Sequence, residues 1–200
     1  MAVKVNMEPR PEENMCIGCE MYCCSLYAEL TSYDILRIAI GEKKEIDSFV
    51  DWTPAEADDA LAFRCEGKMV KFVLKHGGTH CIFFRKDEPL KCSVEPHKPS
   101  VCLAYPFSLR SGKLMGNALC PPGNLLRADS VKMSQEVLAD CRWEVDSYYD
   151  IVADWNLVSD GSEDIEDFLR FASAEMDLEM NPLGSLFRKA RRKFLRAFWG

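Results

Sequence analysis

An α+β fold is predicted by three observations in the 200-residue sequence. Four of its ten cysteines fall between positions 16 and 24. Short β-branched and aromatic runs, broken by Gly and Pro, occupy residues 68–116. From about residue 129 the apolar residues recur with helical period. These features predict a small cysteine-rich metal-binding core with short antiparallel hairpins and two short helices, followed by a C-terminal helical region. The expected divisions are a polar lead over 1–13, a cysteine-cluster domain over 14–128 and a helical extension over 129–200.

The opening stretch Cys16-Ile-Gly-Cys-Glu-Met-Tyr-Cys-Cys24 sets two sulfurs on one side of a turn at Cys16 and Cys19, with Gly18 relaxing the backbone. Cys23 and Cys24 add two more, pointing in divergent directions. Leu30 to Gly41 reads as a helix with Thr31 as N-cap and Asp34 in its first turn. Thr53-Pro-Ala-Glu56 carries the marks of a second helix start, cap, N1 proline and capping-box acid, running to about Cys65. Lys68–Lys75, Thr79–Phe84 and Leu90–Val94 read as three strands of a meander, with Cys81 and Cys92 on facing strands. His97 to Phe107 is a short turn or helical segment. Residues 107–110 and 113–117 flank Ser111-Gly112 as another hairpin, and Cys120-Pro-Pro-Gly123 is an irregular loop suited to a ligand. Ser134 to Asn156 forms a long amphipathic helix, a second runs from a Ser162 cap to Glu179, and Asn181-Pro-Leu183 begins a third.

Hydrophobic residues make up 48% of the chain, ample for a core, and 28% are charged. The formal charge of −7 disfavours non-specific nucleic-acid binding. MAVKVNMEPRPEEN has no apolar signal core, and no run approaches the roughly 20 apolar residues of a membrane span. A cytoplasmic protein with reduced thiols is expected, so the clustered cysteines read as metal ligands rather than disulfides. Cys65 and Cys141 read as core thiols on apolar helix faces. His80 and His97 adjoin ligand positions and are candidates for a mixed zinc site. Residues 181–200 hold six Lys and Arg and no acid; as a basic amphipathic helix they suit the chain's own acidic body, an anionic membrane surface, or a protein partner or nucleic acid.

Cys16-x2-Cys19-x3-Cys23-Cys24, Leu30-Thr31 with Asp34 and Arg37, Cys81, Cys92, Lys98-Pro99 with Cys102, Tyr105-Pro106-Phe107 and Cys120-Pro121 follow one another in an order that resembles the CxxCxxCC family of zinc- or iron-chelating cysteine-cluster proteins, also called YkgJ-like. The resemblance spans roughly residues 14–122 and implies a small cysteine-rich domain holding metal. It names Cys16, Cys19, Cys23, Cys24, Cys81, Cys92, Cys102 and Cys120 as the ligands. Three departures stand out: the three residues Glu20-Met-Tyr22 replace a usual two, Lys98 replaces an arginine before Pro99, and Leu103 replaces an arginine after Cys102. Asp34 and Arg37 read as a cap acid and a surface arginine.

Thiolate ligands select zinc, iron–sulfur or copper(I). Only one Cys-x-x-Cys pair occurs, whereas zinc sites favour two; single ligands near Phe83, Phe84, Tyr105 and Phe107 lean toward an iron–sulfur cluster. The choice between an iron–sulfur cluster and zinc stays open. The function expected is a metal-binding cysteine-cluster protein serving electron transfer, metal handling or maturation of another protein, with a protein partner. The alternatives are a structural zinc module presenting the C-terminal helices, and an iron–sulfur-dependent modifying or redox enzyme.

Overall fold

The computed structural model describes residues 22–88, 92–105, 107–110, 113–116 and 128–180. They divide into two compact units. Of the described residues, Trp52–Lys71 and 146–180 build one; 22–51 and those within Phe72–Val145 build the other. The mixture of short antiparallel strands and helices is the α+β class expected.

Helix α1 (Ser32–Glu42) begins where the capping residues put it. The Thr31 side chain accepts from the Asp34 backbone and the Asp34 side chain accepts from the Thr31 backbone, a complete capping box. Its inner face buries Tyr33, Ile35 and Ile38. It ends at Lys43, which takes a left-handed conformation at φ 52 and ψ 47. Gly41 earns its place through a close approach: a Cβ there would stand 2.5 Å from the His97 ring.

The second helix read from Thr53-Pro54 does not form. Residues Val50–Pro54 are strand β1, Phe63–Cys65 strand β2 and Lys68–Leu74 strand β3, in a sheet of order β1-β3-β2. Strand β1 pairs with β3, and beyond Pro54 the Ala55 amide still donates to the Met69 carbonyl at 3.0 Å, so sheet pairing holds the backbone extended where the capping signal at Thr53 would start a helix. Asp59 then bends the chain by accepting the Leu61 amide at 3.0 Å. Glu66 (φ 48) and Gly67 (φ 75) form a two-residue turn, so Cys65 pairs with Lys68 and Phe63 with Val70. Phe63 and Cys65 point inward and Arg64 outward, a strand period rather than a helical one.

In the unit containing this hairpin, Phe63 stacks on Phe168 at 3.9 Å, and Trp155 meets Phe168 edge-on at 5.6 Å. Tyr148, Ile151 and Met176 complete that core. The amide of Glu66 donates to the Glu163 carbonyl and that of Gly67 to the Gly161 carbonyl. Trp155 Nε1 donates to the Arg64 carbonyl at 2.8 Å, and Asn156 holds the backbone of Ala62 and Arg64.

Strand β3 is found, but the meander expected after it reduces to isolated steps. His76 bridges Cys81 and Phe84 bridges Cys92. The chain turns at once after Cys81, because Phe84 donates back to the Cys81 carbonyl at 2.9 Å, which stops a strand from propagating. Residues 89–91 lie outside the described residues. Helix α2 (Ser100–Ala104) and the hairpin of β4 (Phe107–Arg110) with β5 (Lys113–Gly116) follow. The predicted long helix appears as α3 (Ala128–Val158) and the next as α4 (Ile165–Met180). Its start is capped not by Ser162 but by Asp164, which exchanges backbone-to-carboxylate bonds with Asp167. The third helix, over 181–200, lies outside the described residues. Among the described residues no helix is long and apolar enough to cross a membrane.

Candidate metal centre

Five of the eight predicted ligands fall within the described residues: Cys23, Cys24, Cys81, Cys92 and Cys102. Cys16, Cys19 and Cys120 lie outside them. Cys23 and Cys24 sit on a 3-10 turn, Tyr22–Ser25. The Cys81 amide donates to the Cys24 carbonyl at 2.7 Å, so the opening cluster and the post-β3 loop meet through their backbones. Buried Phe83, tilted against Phe49 at 5.9 Å between ring centres, backs this loop on its apolar side.

Two of the loops share one local device. The Phe83 amide donates to the Cys81 sulfur at 3.4 Å. The Val94 amide likewise bonds the Cys92 sulfur, again from two residues on. An N–H aimed at sulfur favours thiolate over thiol, and hydrogen bonds of this kind tune metal-bound sulfur.

The sulfurs also act on one another. The Cys24 thiol hydrogen-bonds the Cys23 sulfur; against burial, and with help from the Lys98 ammonium, this brings Cys23 down to about 7. The same bond, then burial and the charges of Cys23, Cys81 and Cys92, hold the Cys24 proton on far above the usual thiol range. Burial pushes Cys92 up to about 11, with Cys81 adding to it. Burial also raises Cys81. Cys102 is exposed as a residue, yet protein crowds its sulfur; burial and the charges of Cys81, Cys92, Asp34 and Cys23 push its thiol upward. Four separate stretches of chain therefore bring sulfurs into one electrostatic neighbourhood. Among the described residues, no three His, Cys, Asp or Glu side chains already form a group able to hold a metal ion.

The remaining candidates fall elsewhere. His97 Nδ1 stands 2.7 Å from Glu42 Oε1, and His80 stacks on Phe84 at 4.6 Å. Cys65 and Cys141 are buried, as core thiols should be, although Cys65 lies on strand β2 rather than a helix. Cys65 lines a groove of about 260 Å³ with Trp52, Lys68 and Asp164, to which none of the eight candidate cysteines contributes. Lys98, in the expected arginine position, is buried and paired with Glu95 at 2.5 Å.

Arg37 is not a surface residue. It is 6% exposed, donates from Nη2 to Asp34 Oδ1 at 3.1 Å, and reaches both oxygens of Glu144 on α3. Asp34 is 1% exposed, and its Oδ1 also accepts the Ser100 amide at 2.7 Å, at the first residue of α2. The spacing of Asp34 and Arg37 on one helix face was the available signal; their partners, distant in sequence, were not visible.

A family model described as "Putative zinc- or iron-chelating domain" matches residues 15–122. No curated protein and no solved structure matches the chain. The match takes in all eight ordered cysteines and covers more than half of the sequence, and on that ground the chain belongs to the CxxCxxCC family.

Proposed function

We propose that the chain binds metal through cysteine sulfur, as an iron–sulfur protein serving electron transfer, metal handling or the maturation of a partner protein. Cys23, Cys24, Cys81, Cys92 and Cys102 are the described candidates for ligation, with Cys16, Cys19 and Cys120 joining them. The observation that carries this reading is the gathering of sulfurs from separate stretches, two of them receiving a backbone N–H from two residues on. The donor set fits the family's metals, since sulfur suits zinc and iron and disfavours hard cations. All seven described cysteines are free, in keeping with a reducing compartment such as the cytoplasm.

An iron–sulfur cluster supplies one-electron transfer at a potential set by burial and by hydrogen bonds to sulfur. The chain's own contribution is then to hold thiolates, aim the Phe83 and Val94 amides at them and keep water back with Phe83. Because Cys81, Cys92 and Cys102 hold their protons in the metal-free state, binding must release protons and strengthens as pH rises.

The test is anaerobic purification followed by assay of iron, acid-labile sulfide and zinc, with a visible spectrum. Iron and sulfide in equal amounts, with sulfur-to-iron absorption lost in a Cys81→Ser, Cys92→Ser variant, is the expected result. A colourless chain carrying zinc alone moves the reading to the structural zinc module. A folded chain that takes up neither metal overturns it.

A further inference from the structure

We infer that Asp34 is a positioning residue for Cys102, and that it acts by standing in as the missing cap of α2. The inference rests on the reading of Cys102 as a metal ligand. Helix α2 is five residues long and carries Cys102 at its centre. A helix start leaves N–H groups that need acceptors. The N-cap of α2 is Pro99, and no side chain at that position makes a capping bond. The acceptor comes instead from α1: Asp34 Oδ1 takes the Ser100 amide at 2.7 Å and lies 2.9 Å from its hydroxyl oxygen.

That carboxylate is itself fixed. Oδ2 accepts the amide and the hydroxyl of Thr31, each at 2.9 Å, and Oδ1 accepts Arg37 Nη2 at 3.1 Å. Arg37 is held in turn by Glu144, which the Ser100 hydroxyl also contacts. The start of α2 is thus clamped from α1 and α3 together. Two residues downstream, the Cys102 amide bonds the Pro99 carbonyl at 2.9 Å, so fixing the first turn fixes the Cys102 Cα. Local sequence alone would leave so short a helix to fray. The carboxylate gives it a defined place, and with it a defined place for one sulfur.

The test uses the full chain loaded with cobalt(II), whose thiolate absorption reports on bound sulfur. In Asp34→Asn, alkylation of Cys102 in the loaded chain should rise by about tenfold or more, as it does for a thiolate released to solvent. Cys81 and Cys92 should stay protected, and the charge-transfer absorption per cobalt should fall by about a quarter, one thiolate of a four-sulfur site. Ile38→Val thins the buried face of α1 without removing any bond to Asp34, Arg37 or Ser100, and should leave Cys102 protected. If Asp34→Asn does not fold, Ser100→Ala gives a milder version, with the same selective exposure of Cys102 to a smaller degree. Unchanged protection of Cys102 overturns the inference. So does equal exposure of all the cysteines, or the same effect in Ile38→Val, because either marks a loss of stability rather than of position. A wild-type chain that binds no metal sinks the metal reading instead; faster exchange of the Ser100 amide in metal-free Asp34→Asn still reads the clamp by itself.

Discussion

Arg37 shows what a single buried cation does in this molecule. It stands between the carboxylates of Asp34 and Glu144 with little access to water. Breaking a buried pair by removing one partner leaves charge without compensation, which costs about 3–5 kcal/mol. Arg37→Met should therefore lower the urea midpoint strongly, and Lys should rescue it only in part, since it cannot reach both carboxylates with a planar fork. Gly41→Ala should cost about 1–3 kcal/mol, because the new methyl meets the His97 ring that Glu42 holds in place. Thermal melts would check both. At this scale the cap at Thr31 was legible, because both of its partners lie within one turn. The burial of Arg37 was not: Glu144 lies 107 positions away, and nothing local marks it.

Turn chemistry decided the elements that sequence reading got wrong. Thr53-Pro54 opens helices and also ends strands; the outcome depended on the pairing of β1 with β3, the strand that the Glu66-Gly67 turn folds back against β2. Glu66 adopts φ 48, a region that suits Asn better than a longer side chain. Glu66→Asn should thus stabilise the hairpin by about 0.5–1 kcal/mol, whereas Gly67→Ala should cost about 1–2 kcal/mol. Hydrogen exchange at the β2–β3 amides reads both changes. The cysteine loops were misread for a related reason. Cys81 and Cys92 look like strand residues among Ile82, Phe83 and Val94, but the loops bend so that backbone amides point at sulfur. The order of the cysteines, and so the candidate site, was legible; the local geometry that gathers them was not, because it depends on contacts such as Cys81 to the Cys24 carbonyl. The helices α1, α3 and α4 followed from period and caps, but α3 begins at Ala128 rather than Ser134, and the cap of α4 moved from Ser162 to Asp164.

For the molecule as a whole, proton linkage gives a stability window for the metal-free state. Burial raises Cys65, Cys81 and Cys92, the last to about 11. A thiol raised on folding contributes stability that is complete below its unfolded value, near 9, and is lost as pH climbs toward the folded value. Cys92 alone would account for about 2–3 kcal/mol between pH 9 and 11. At the other end, the Lys71 hydrogen bond holds Asp59 below the usual carboxylate range, so its contribution disappears as pH falls below about 4. Guanidinium midpoints of metal-stripped protein from pH 3 to 11 should trace these two edges with a rise between about pH 7 and 9, where Cys23, lowered to about 7 by the Cys24 thiol, is ionised in the folded chain first, and Cys65→Ser should flatten part of the alkaline edge. Restoring zinc or iron should move the alkaline edge upward, because metal-bound sulfur no longer carries the proton.

Phe63 lies inside the stretch that the family model covers, while the ring it stacks on, Phe168, lies beyond it. A polypeptide ended at residue 122 would keep the β2–β3 hairpin and lose the aromatic lid over it, along with the indole that engages the Arg64 carbonyl. The borders of shared ancestry and the borders of self-sufficient folding are therefore different lines in this chain. Anyone trimming it to the family-matched part should meet a sticky, half-finished remnant, and would wrongly blame the missing ion.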